Sequence, residues 1–157
     1  MLVTALLFGC GYQLRGLQGD QLNIAISSVA IVGDKQDRDL LDLLSQRLQQ
    51  FGVTEIEDPA LAEVVLNIVS AKQSRRVLSV DNSSRVSEFE LFYSVDYRVG
   101  RSGQQAEARN ANARREITFD ENQVLAKAEE EERLYSEMRR DVVNTILRLL
   151  QRAARDG

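Results

Sequence analysis

From Phe89 to Val99 the apolar side chains Phe89, Leu91, Tyr93, Val95, Tyr97 and Val99 fall on one face, opposite Glu88, Glu90, Ser94, Asp96 and Arg98. A period of two marks a strand with one side in a core and the other in water. One such strand is not stable alone, so the rest of the chain must supply further strands and a cover for the apolar face.

Further strands are legible on both sides. Leu22, Ile24 and Ile26 alternate with Asn23, Ala25 and Ser27, and Val29 to Val32 extends this first strand. Val64, Leu66 and Ile68 open a second strand that runs through Lys72 to Val80, where Asp81-Asn82-Ser83-Ser84 clusters turn-forming residues. The segment from Phe89 is the third strand. Gly100 to Gly103 reads as the next hairpin turn, and Ala111, Ala113, Ile117 and Phe119 form one face of a fourth strand. Small alanines there let a helix come close.

Helical spacing occurs twice. Leu40, Leu41, Leu44, Leu48 and Phe51 recur every three or four residues, with Asp34 or Asp37 as a cap and Gly52 in the stopping position, which predicts a helix over residues 37–51. Leu134, Met138, Val142, Ile146, Leu149 or Leu150, and Ala153 form a second stripe after the capping cluster Asp120-Glu121-Asn122, predicting a helix over residues 123–154. Such a helix is about 45 Å long, longer than a four-stranded sheet is wide, so part of it protrudes. The order β-α-β-β-β-α predicts an α+β fold: a two-layer sandwich with two helices packed on a four-stranded mixed sheet.

Composition restricts the chemistry. The 157 residues include no His, no Trp and one Cys, which removes the commonest general base and metal ligand and any internal disulfide. No Ser-Lys pair, paired-carboxylate spacing or phosphate loop stands out, so the expectation is a protein that binds rather than catalyses, without metal or cofactor. A net charge of -4 argues against a nucleic-acid partner. Charge is unevenly placed: residues 72–115 carry nine basic and five acidic side chains, while both flanks are acidic.

Residues 1–9, Met-Leu-Val-Thr-Ala-Leu-Leu-Phe-Gly, are too short to span a bilayer but have the length of a secretory apolar segment. They lack its basic start, so the expectation is a true start upstream of Met1. Leu7-Phe8-Gly9-Cys10 resembles the lipobox of bacterial lipoproteins, although Phe8 is larger than is usual there. That likeness implies a signal-peptide remnant over residues 1–9, cleavage after Gly9, and acyl chains on Cys10 that tether a single domain of residues 10–157 to a membrane. Gly11 resembles the outer-membrane sorting class. A buried, unmodified thiol on an ordinary strand is the alternative reading of Cys10.

The hairpin of the second and third strands carries Lys72, Arg75, Arg76 and Arg85 near outward-facing Phe92. Guanidinium groups beside apolar side chains suit an amphiphilic anion, because their forked donors match phosphate oxygens. A solvated face on which Arg discourages edge-to-edge pairing accounts for the same residues. The acidic run Glu129 to Glu132 reads as a solvated helix face, since consecutive helix positions point around the axis and cannot converge on a cation.

Cys10-Gly11-Tyr12-Gln13-Leu14-Arg15 resembles the opening Cys-Gly-aromatic-polar-Leu-Arg of the LptE family, the lipoprotein subunit of the outer-membrane lipopolysaccharide translocon. Glu88-Phe89-Glu90-Leu91 and Leu125-Ala126-Lys127 are weaker matches. The resemblance implies a non-enzymatic lipoprotein on the periplasmic side of the outer membrane. It implies a one-to-one complex with the β-barrel LptD, plugging its lumen and helping it assemble, and lipopolysaccharide as ligand. Lys127 matches a lipopolysaccharide-linked lysine of that family. The family's basic residue near the hairpin turn falls at Asn82, so Arg85 or Arg76 would have to substitute, with Arg75 beside them.

Overall fold

A computed structural model describes residues 26–33 and 37–153. Five strands form one mixed sheet: β1 (Ser28–Gly33), β2 (Thr54–Glu55), β3 (Val64–Val80), β4 (Val86–Arg101) and β5 (Glu107–Thr118). The described residues also form two helices, α1 (Arg38–Gln50) and α2 (Val124–Ala153), with a 3-10 turn at Glu121–Gln123 leading into α2. In space the order is β2-β1-β3-β4-β5; β1 is parallel to β2 and β3, and the β3–β4 and β4–β5 pairs are antiparallel. The α+β sandwich is as expected, but the sheet has five strands rather than four. The added strand is two residues on an edge, where Thr54 and Glu55 follow the end of α1 and pair with Ser28 and Val29. Two exposed polar residues carry no periodicity that could announce them.

Each helix boundary has a local cause. The Asp37 carboxylate accepts from the Leu40 amide at 2.9 Å, so Asp37 is the N-cap of α1. Gly52, at φ +75°, closes its other end, a conformation that costs glycine little. Gly33 is also constrained: its φ is +116°, and a Cβ there would lie 2.0 Å from the Ile68 carbonyl oxygen on β3.

The core lies between the helices and one sheet face. Leu91, Tyr93, Val95, Tyr97 and Val99 of β4 are buried there with Leu66 and Ile68 of β3 and Leu40, Leu44 and Leu48 of α1. From α2 come Met138, Val142, Val143, Ile146, Leu147 and Leu150, a wider stripe than the expected one because this helix touches both the sheet and α1. Ala111 is buried and Ala113 half-buried, and α2 settles over β4 and β5 at these small side chains. Between Leu149 and Leu150, the latter is the core residue.

Strands β3 and β4 outrun the rest of the sheet. β1 pairs only with Val64–Ile68, and a bulge lies between Ile68 and Ser70 where that pairing ends. Beyond it β3, β4 and β5 form a three-stranded arm, while the β3 side chains from Lys72 to Leu78 are all exposed. The first turn of α2 protrudes along this arm, with Val124 and Leu125 exposed.

Burial holds the Tyr93, Tyr97 and Tyr135 phenols above their ordinary pKa of 10.0; at Tyr93 the Asp37 carboxylate adds to the effect. A raised folded-state value means that the stabilising contribution is complete below pH 10.0 and is lost as pH rises beyond it. Spectrophotometric titration is therefore expected to show these phenols ionising late and together with unfolding, and Tyr93→Phe to soften the alkaline transition.

Candidate functional site

The residues expected to contact an anion lie along the arm and the start of α2, on different faces. Side chains alternate across β3, so Arg75 points to the helix side and Arg76 to the open side. Arg75 donates to Glu131 of α2 at 3.0 Å, and its guanidinium lies 4.8 Å from the centre of the Phe89 ring. Lys127, in the first turn of α2, donates to Thr118 Oγ1 at the end of β5 at 3.0 Å and to Glu130 at 2.9 Å. The long helix thus brings Arg75 and Lys127 to the same flank of the arm.

Arg76 faces the sheet side that the helices leave uncovered. Its Nε donates to Glu90 at 2.7 Å, and its guanidinium lies 5.1 Å from the centre of the Phe92 ring. Glu90 is 4% exposed, although no described helix covers its strand face. Arg114 of β5 approaches it from the other side at 3.8 Å, completing a pair of cations around one buried carboxylate. Arg114 escaped the sequence reading because its link to Glu90 is a cross-strand register, with Phe92 opposite Arg114 and Glu90 one step diagonal.

Arg85 serves the turn. It donates to Asp81 at 3.0 Å, while Asp81 also accepts from the Ser83 and Arg85 amides, which holds the Asp81 carboxyl below its ordinary pKa. Asn82, the position where the family resemblance called for a basic residue, sits in this turn. Cys10 and residues 1–9 lie outside the described residues.

Two features shape what this end of the molecule can bind. Val77, Leu78 and Val80 on the arm and Val124 and Leu125 on α2 are exposed, and Phe89 meets Phe119 edge-on at 5.4 Å. The positive excess of residues 72–115 is not displayed as a bare patch: Arg75, Arg76, Arg85, Arg101, Arg109, Arg114 and Arg115 each have a carboxylate in salt-bridge range. The acidic run contributes to this. Glu130 and Glu131 are partly buried and paired, while Glu129 and Glu132 are the solvated members. No described helix is long and apolar enough to cross a membrane.

This fold is shared with solved bacterial lipoproteins. The crystal structure of rare lipoprotein B from Shewanella oneidensis matches with a TM-score of 0.71 and 28% identity over 79% of this chain and 93% of that one. The solution structure of an uncharacterized lipoprotein B from Nitrosomonas europaea matches at 0.70 and 30%, covering 88% of each chain. A minor lipoprotein from Acinetobacter baumannii, 20% identical with a TM-score of 0.66 over 80% of this chain and 91% of that one, shares the fold. No curated protein matches the chain. The LptE family model, described as "Lipopolysaccharide-assembly", matches residues 23–150, and the chain belongs to that family. Its function accordingly lies in lipopolysaccharide assembly.

Proposed function

We propose that this protein is an outer-membrane lipoprotein, acylated at Cys10, that occupies and helps assemble the LptD β-barrel in a one-to-one complex and contacts lipopolysaccharide through its arm. It acts by binding, not by catalysis. The observation that carries the ligand role is the meeting of Arg75 and Lys127 on one flank, beside the exposed apolar side chains Val77, Val80, Val124 and Leu125. Cationic groups there meet phosphates, and the apolar end meets acyl chains.

Replacing Arg75, Arg76, Arg85 and Lys127 together with Gln is expected to weaken lipopolysaccharide binding at least tenfold, about 1.4 kcal/mol, measured by fluorescence titration with the purified protein. Unchanged binding would remove the ligand role. A second reading, an assembly module without a lipid ligand, is favoured by one observation: all four cations already have internal carboxylate partners. Wild-type outer-membrane integrity in cells carrying the quadruple variant would select that reading.

A further inference from the structure

We infer that Glu130 and Glu131 act as a built-in competitor for the anionic ligand, occupying Lys127 and Arg75 in the free protein and being displaced when a phosphorylated amphiphile binds. This rests on the ligand role proposed above for the same flank. In the run Glu129–Glu132 only the middle two are engaged: Glu130 holds Lys127 at 2.9 Å and Glu131 holds Arg75 at 3.0 Å. Glu129 and Glu132 are exposed and form no ion pair among the described residues.

The geometry suits exchange. A carboxylate and a phosphate present the same kind of oxygen to guanidinium and ammonium donors, so one can replace the other without moving the cation. Each cation has a second contact that does not depend on its carboxylate. Arg75 lies over the Phe89 ring, and Lys127 donates to Thr118 Oγ1 at 3.0 Å. When a ligand displaces Glu130 and Glu131, these contacts keep the two cations pointing at the flank. Both pairs are partly open to solvent, with side-chain exposures of 53% and 24% for Arg75 and Glu131 and 18% and 35% for Lys127 and Glu130. Partly solvated pairs are weak, which lets a ligand of higher charge displace them, and the cations avoid unspecific association with other anions in the meantime.

The test compares three full-length proteins in lipopolysaccharide titrations: wild type, E130Q/E131Q, and E129Q/E132Q. The two variants lose the same formal charge from the same helix, and Gln preserves helix propensity. E130Q/E131Q is expected to bind roughly three- to tenfold more tightly than wild type, and E129Q/E132Q less than about twofold, as weak surface pairs and screened charges imply. Equal gains in both variants would show that overall charge alone is responsible and overturn the inference. Unchanged affinity in E130Q/E131Q would overturn it also, leaving the ligand role intact. Absence of binding by all three proteins would overturn the ligand role itself, and the inference with it.

Discussion

Replacing Arg139 with alanine is expected to destabilise the protein by about 3 kcal/mol, lowering its thermal midpoint by about 10 °C. Arg139 is 6% exposed and lies where α1, α2 and β4 meet. Its Nε is 3.2 Å from Asp37, the Tyr93 hydroxyl donates to the same carboxylate at 2.6 Å, and the guanidinium lies 5.6 Å from the centre of the Tyr93 ring. Asp37 also caps α1, so one carboxylate serves a helix terminus, a strand side chain and the second helix. Removing Arg139 leaves that carboxylate with less compensation in a site that excludes most water, the costly way to break a buried pair. Replacing both charges, as in R139M/D37S, keeps a capping hydroxyl and an apolar stem, and is expected to cost less than R139A alone. Calorimetry checks both; a shift under about 2 °C for R139A would show that the cluster does not hold the helices on the sheet.

The second large effect separates the two ends of α2. Ile146 is fully buried between sheet and helix, and Ile146→Ala is expected to cost about 3 kcal/mol through lost burial and the cavity left behind. Leu125 is 77% exposed on the first turn, and Leu125→Ala is expected to change stability by less than about 0.5 kcal/mol. Urea unfolding measures both. A large loss at Leu125 would mean that the start of α2 is packed rather than presented. If L125A also weakens lipopolysaccharide binding without loss of stability, the protruding end of the helix is part of the ligand surface.

Much of this arrangement could be read from residue order, because burial imposes period. The alternation from Phe89 to Val99 locates β4 to within a few residues of its ends, and the capping cluster Asp120-Glu121-Asn122 together with the stripe from Leu134 to Ala153 does the same for α2. Alanines 111 and 113 announced the close approach of α2 to β5. What stayed hidden depends on distant partners. The strand at Thr54–Glu55 exists because β1 has a free edge beside it, not because two polar residues prefer extended backbone. The wide buried stripe that includes Val143 and Leu147 reflects contact of α2 with two neighbours at once. A choice of cap between Asp34 and Asp37 is open until the Leu40 amide is seen to donate to the Asp37 carboxylate.

The site was legible in composition and opaque in electrostatics. Counting charges along the chain made residues 72–115 basic, but pairing in space assigns Glu131 to Arg75, Glu90 to Arg76 and Arg114, and Asp81 to Arg85. Sequence separation conceals such pairs: Arg75 and Glu131 are 56 residues apart. The same pairing divides the four cations by position, with Arg85 held in its turn and Arg76 on the open sheet face, leaving Arg75 and Lys127 on the helix flank.

The proposal that this lipopolysaccharide-assembly protein works inside a β-barrel is tested most directly by affinity purification from detergent-solubilised outer membrane. One large β-barrel protein is expected to elute with the tagged chain at one-to-one stoichiometry and to persist through washes at high salt. Recovery of the chain alone, from membranes in which such a barrel is present, would contradict the account.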